Sequence, residues 1–183
     1  MSTPHAADPV KLVSSLFSAE RELIGEIVKN MTYMFGMIDY ISEPLAFDYT
    51  DYYVKEMVPH QKRRIVSFED LIDPADLPDI KIRTNEIEET FSNERKRRVN
   101  IDPGYISQGN LILATGKPFA HRPYLAKGIY ADLTLVYKKG GFHPLEWTYP
   151  DYRETKMMQM FAGIRGKYLI QLARLKKEAP KTV

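Results

Sequence analysis

The run VKLVSSLF (Val10–Phe17) is apolar at most positions, too short for a stable helix and closed by Ser18, a pattern that predicts a strand. The period then changes. Ile24, Ile27, Val28, Met31 and Phe35 recur at i, i+3, i+4, i+7 and i+11, the spacing of one helix face. Ser18 can cap that helix, Glu20 and Glu22 suit its positive end, and Gly36 supplies a stop. IDYISEPLAF follows as an extended segment in which Pro44 argues for an edge strand or a bulge. RRIVSFEDLI predicts the next strand, with Val66 and Phe68 on one face and Ile65 and Ser67 on the other. A helix from about Asp79 to Ser92 buries Ile80, Ile87 and Phe91, and RRVNI returns as a strand. The order β-α-β-β-α-β is that of a ferredoxin-like core, an antiparallel sheet with two helices on one face.

Beyond that core, NLILATG predicts a strand, and IYADLTLVYK alternates Ile129, Ala131, Leu133, Leu135 and Tyr137 with more polar neighbours. KKGG is a hairpin turn into FHPLEWTY, and a closing helix carries Met157, Phe161, Ile164, Tyr168, Leu172 and Leu175 on one stripe. That methionine-containing stripe is taken as a core face rather than a partner surface. The expected class is therefore α+β: an antiparallel sheet with a ferredoxin-like βαββαβ core, extended by a C-terminal β-hairpin and a long helix.

Composition narrows the functional classes. With 183 residues, 44% hydrophobic and 27% charged, the chain suits a single domain over residues 1–183, with 1–9 and 178–183 flexible. The absence of cysteine excludes disulfides, thiolate zinc sites and cysteine nucleophiles, and the cytoplasm is the simplest location. MSTPHAADP lacks the charged and apolar regions of a secretion signal, and no segment has the roughly 18 to 20 apolar residues needed to span a bilayer. A net charge of +2 argues against a dedicated nucleic-acid protein.

Several chemistries fail on spacing. Asp70, Asp73, Asp76 and Asp79 fall every third residue, whereas a calcium loop needs alternating carboxylates, a turn glycine and a distal Glu; Asp73-Pro74 and Asp79 are helix-start residues instead. Gly116-Lys117 is no phosphate loop, because Gly109 lies too far upstream and Pro118 stands where a Ser or Thr would hold magnesium. His5, His60, His121 and His143 are too scattered for a zinc site, so no metal ligands are assigned. The aromatic pattern by which RNA-recognition modules stack bases is missing. Asn30-Met31-Thr32 matches a glycosylation sequon but falls inside the first helix.

Two stretches concentrate chemistry. Asp102-Pro103-Gly104 has the residue order of a type II turn, which would fix Asp102 and Tyr105 at the end of a strand. GKPFAHRPYLAKG gathers Lys117, His121, Arg122 and Lys127 on an irregular connection. Arg122 can grip a carboxylate or phosphate in a fork, Lys117 can add a point charge, and His121 titrates in the range useful for acid–base work. Asp102 and His121 are thus the candidate proton carriers, with Tyr105, Lys117, Arg122 and Arg153 as ligand contacts. HQKRR (His60–Arg64) and ERKRR (Glu94–Arg98) could hold a polyanion through Arg64, Arg97 and Arg98, or be solvated strand ends. Tyr49, Tyr52 and Tyr53 with Asp48 and Asp51 lie in a connection long enough to form a lid, and Trp147, Tyr149 and Tyr152 precede the last helix.

The stretches DYTDYY and KEM, NIDPGY, KPFAHRPYLAKGIYA and WTYPDYR, in this order, resemble a prokaryotic family described as domain of unknown function 4416. The resemblance extends from VKLVSSLFS to the final helix. It implies a single domain of about this length and carries no catalytic residues; the GTP-binding label attached to some relatives finds no phosphate loop here. The residues themselves favour a small anionic ligand, a nucleotide or phosphorylated metabolite, between DPGY and KPFAHR. Nucleic-acid association and a non-enzymatic interaction subunit are the alternatives. No cofactor, membrane contact or oligomeric state is specified.

Overall fold

The computed structural model describes residues 3–46, 62–92 and 97–178. Strand β1 (Val10–Ser18) is buried along its whole length, because it has a neighbour strand on each edge and helices on both faces. Its neighbours are β4 (Lys62–Ile72) and β5 (Val99–Ile106), both antiparallel to it. The sheet continues outward through β2 (Ile38–Ile41) on one side and through β6 (Asn110–Thr115), β8 (Ile129–Lys138) and β7 (Tyr124–Ala126) on the other. Two short strands complete the nine among the described residues: β3 (Leu45–Ala46) beside β4, and β9 (Gly141–Pro144) beside β8. The molecule is α+β, with every recorded strand pair antiparallel.

The two faces of the sheet have separate cores. Helices α1 (Arg21–Phe35) and α2 (Leu77–Thr90) cover one face, where Leu23, Ile27 and Met31 meet Leu12, Leu16, Val66, Phe68 and Ile101. Helix α3 (Thr155–Glu178) covers the other, laying Met157, Phe161 and Ile164 on Val13, Ile65, Ile106 and Leu135. The alternation in β4 therefore sorts as its sequence predicts, and α1 ends at Gly36, whose φ of 92° suits glycine and whose N–H donates to the Thr32 carbonyl. Lys139 and Gly140 both have positive φ, the backbone that a two-residue turn between β8 and β9 requires.

Local departures from the sequence reading have identifiable causes. Helix α2 starts at Leu77, two residues before the expected Asp79, after a short 3-10 turn in which the Asp73 carboxylate accepts from Ala75 N–H. Asp8 and Pro9, expected to be loose, are tied down: Asp8 takes Lys176 and Gln108, and the Pro9 carbonyl accepts from Tyr168. On β8, Asp132 and Thr134 are buried although they fall on the polar side of the alternation, because the ladder shifts register between Leu111 and Ile112. The largest departure is at DPGY. These residues form no turn; they run through β5, where Ser14 pairs with Pro103 and Val13 with Gly104. The candidate lid at Tyr49, Tyr52 and Tyr53, His60, and Glu94–Lys96 lie outside the described residues.

Candidate functional site

Strand β5 has a complete partner on only one edge. It pairs with β1 throughout, but with β6 only at Gly104, Tyr105 and Ile106. Over its first half the outer edge meets no strand among the described residues, and helix α2 lies along it. The Ile101 N–H donates to Glu88 Oε1 at 2.7 Å, and the Ile101 carbonyl accepts from Lys81 Nζ at 2.8 Å. Two residues on, the same edge would present the N–H of residue 103, and proline removes that donor where no acceptor strand lies among the described residues. Gly104 then marks the crossing. A Cβ there would lie 2.3 Å from the Ile112 carbonyl oxygen, so only glycine lets β5 and β6 approach so closely.

Where the two strands part, a cavity of about 810 Å³ opens. Its walls come from Asn100 and Asp102 of β5, Lys81 and Glu88 of α2, the turn after β6 at Thr115–Lys117, and residues 149–152 before α3. Asp102 and Lys117 from the two candidate stretches, together with Arg122, line this one space. Tyr149, Asp151 and Tyr152 of WTYPDYR line it as well.

Its electrostatics are dominated by close pairs. Asp102 accepts from Asn100 Nδ2 at 2.7 Å and lies 3.8 Å from Lys81 Nζ. Glu88 is buried, 3.9 Å from Lys81 Nζ and 3.8 Å from Arg97. Burial pushes its carboxyl above the ordinary carboxylate range, against the pull of Lys81, the Ile101 N–H and Arg97, and with a further push from Asp102. Arg122 donates to Asp132 Oδ2 at 2.8 Å, to the Lys117 carbonyl and to the Tyr149 hydroxyl, which pins the KPFAHR loop to β8. Arg63 pairs with Asp151 and lies over the rings of Phe17 and Tyr152. The buried Tyr152 phenol is held protonated, mainly by burial.

The remaining candidates stand apart from the cavity wall. The His121 ring stacks on Trp147 at 4.7 Å, and its Nε2 lies 3.8 Å from Asp132, so the histidine sits behind a cavity-lining carboxylate. Tyr105 packs with the Leu77, Ala114 and Ile129 cluster, and burial raises its phenol. Arg153 donates to the carbonyls of Thr148 and Glu146, each at 2.7 Å, and so stabilises the turn that carries the cavity residues. Lys127 pairs with Asp79 across the surface.

The two basic runs do not form a common stripe among the described residues. Arg63 is buried, Arg64 donates to the Ser42 carbonyl, Arg98 pairs with Glu20, and Arg97 lies 3.8 Å from the cavity residue Glu88. No group of three or more His, Asp or Glu side chains among the described residues is arranged to hold a metal ion. No described helix is long and apolar enough to cross a membrane.

Sequence reasoning missed Lys81, Glu88, Asn100, Asp132 and the Arg63–Asp151 pair. One signal was present. Lys81, Thr84 and Glu88 fall at i, i+3 and i+7, beside Ile80 and Ile87, so charged groups share the inward stripe of α2.

Comparison with known proteins places the chain but assigns no chemistry. Searches of curated proteins and of solved structures find no match. A family model described as a domain of unknown function, DUF4416, matches residues 8–168, which include both sheet faces and every cavity-lining residue. The chain belongs to the DUF4416 family.

Proposed function

We propose that this protein binds a small anionic molecule, of the size of a nucleotide or phosphorylated metabolite, in the cavity between β5 and β6. The observation that carries the reading is convergence. Three stretches selected from the sequence for their chemistry contribute Asp102, Lys117, Arg122 and Tyr149 to one space. Its volume, about 810 Å³, lies within the roughly 300–1,000 Å³ of ordinary ligand sites. Lys117 and Arg97 supply charge at the rim, and Arg122, which also lines the cavity, fixes the loop through Asp132, the Lys117 carbonyl and Tyr149. In this reading Asp102, held by Asn100, accepts a proton from the bound molecule and His121 acts through Asp132, 3.8 Å from its Nε2.

The fold supports the placement. We read the first half of the chain as a ferredoxin-like core, a reading supported by the strand order β2-β4-β1-β5 with α1 and α2 on one face. The strands β6 to β9 and helix α3 then extend the sheet and wall off the cavity. A thermal-shift panel of nucleotides, sugar phosphates and carboxylates, with and without magnesium, tests the reading. A true ligand at 100 times its Kd adds about 2.7 kcal/mol of stability. Lys117→Ala should weaken that response, read as the ligand-induced shift from each protein's own ligand-free melting temperature. An equal response in the variant would remove Lys117 from the site, and a flat panel would count against the cavity as an anion site.

A further inference from the structure

Glu88 occupies an unusual position for a charged helix residue. Its side chain is 8% exposed, it lines the cavity, and its two oxygens are differently employed. Oε1 accepts the Ile101 N–H at 2.7 Å and faces Lys81 Nζ at 3.9 Å, so that oxygen is committed as an acceptor. Any proton on the carboxyl therefore sits on Oε2, the oxygen 3.8 Å from Arg97. Lys81 is shared: it donates to the Ile101 carbonyl and stands between Glu88 and Asp102.

The charge balance of this cluster depends on Glu88. With Glu88 ionised, two carboxylates, Glu88 and Asp102, face two cations, Lys81 and Arg97, and the charges of this cluster cancel. With Glu88 neutral the cluster carries one net positive charge, and Oε2–H becomes a donor beside the Arg97 guanidinium. Resting on the reading of the cavity as an anion site, we infer that Glu88 is its specificity-determining residue: neutral Glu88 donates Oε2–H to a ligand oxyanion held by Arg97 and Lys81, whereas ionised Glu88 repels it. The ligand class is an oxyanion, carboxylate or phosphate, and binding takes up one proton onto Glu88 wherever that group is ionised in the free protein. No bond to the ligand forms or breaks. Burial of Glu88 and the nearby Asp102 both favour the neutral carboxyl.

Sulfate is the probe of choice, because its own charge does not change in the range used. Calorimetric titration in two buffers of different ionisation heat reads the protons taken up per sulfate bound. For the wild-type protein at a pH where Glu88 is ionised, uptake should approach about one proton, and affinity should fall about tenfold per pH unit there. Glu88→Gln, which keeps an acceptor for the Ile101 N–H, should bind sulfate with no proton uptake and no such pH dependence. The wild-type measurement stands even if the variant folds poorly. Sulfate binding without uptake, or uptake that persists in Glu88→Gln and so belongs to another group such as His121, overturns the role of Glu88 while leaving the site. No binding at tens of millimolar sulfate overturns both.

Discussion

Replacing Gly104 by alanine tests how the cavity is made. The added Cβ would lie 2.3 Å from the Ile112 carbonyl oxygen, 2.7 Å from Leu113 Cδ2 and 3.0 Å from Leu113 Cα. Leu113 Cδ2 can move, but the other two atoms belong to the backbone of β6, so relief requires the strands to separate. The junction is short: Gly104, Tyr105 and Ile106 are the residues that pair with β6. Spreading it endangers these pairings, at about 1 kcal/mol for each hydrogen bond lost. Forcing extra volume into a packed site costs about 1–3 kcal/mol, and the upper end applies where backbone opposes it. A loss of about 3 kcal/mol corresponds to roughly 6–12 °C in melting temperature for a chain of this length. Gly109→Ala is the matched control, since nothing lies within 4 Å of its Cβ position; its effect should stay within about 0.5 kcal/mol. Urea unfolding of both variants measures the difference directly. A Gly104→Ala protein as stable as the control would refute the close crossing, and with it the reason for the strands to part.

Other substitutions separate support from binding. Lys11 is fully buried and joins β1 to Asp39 at 2.7 Å and to Gln171 of α3 at 2.8 Å, so Lys11→Ala should cost about 3 kcal/mol in urea unfolding by stranding those partners. Arg153→Ala removes donors from two carbonyls and should cost about 1 kcal/mol, while sulfate affinity measured by calorimetry stays unchanged. Glu88 has a folded-state pKa above its unfolded value, so ionising it is costlier in the folded protein, and stability is lost as pH rises through the raised value. Glu88→Gln lacks that loss; the urea midpoint of the variant relative to wild type should rise as pH increases from the ordinary carboxylate range of about 4 through the raised value, and a constant gap would contradict the shift.

How legible the molecule was depended on whether the determining interaction was local. Helix α1 could be read from Ile24, Ile27, Val28 and Met31, and the stripe of α3 from Met157 to Leu172, because burial of one face imposes a period on the sequence. DPGY could not. Pro and Gly are turn residues on local grounds, yet here Pro103 faces an edge with no partner strand and Gly104 admits a neighbouring backbone, both consequences of distant segments. The same applies to the site. Lys117 and Arg122 stood out by residue type, whereas Lys81 and Glu88 looked like ordinary polar positions on a helix until α2 was laid against the unpaired edge of β5. His121 carried the right chemistry but is turned toward Asp132 and Trp147.

The central claim is that the space between β5 and β6 receives an anion, and a titration of labelled protein with sulfate followed by amide chemical shifts tests it most directly. The cavity predicts saturable shifts concentrated at Asn100–Asp102, Thr115–Lys117 and residues 149–152, lost together in Lys117→Ala. Shifts scattered over exposed lysines, growing without saturation and indifferent to Lys117, would contradict it.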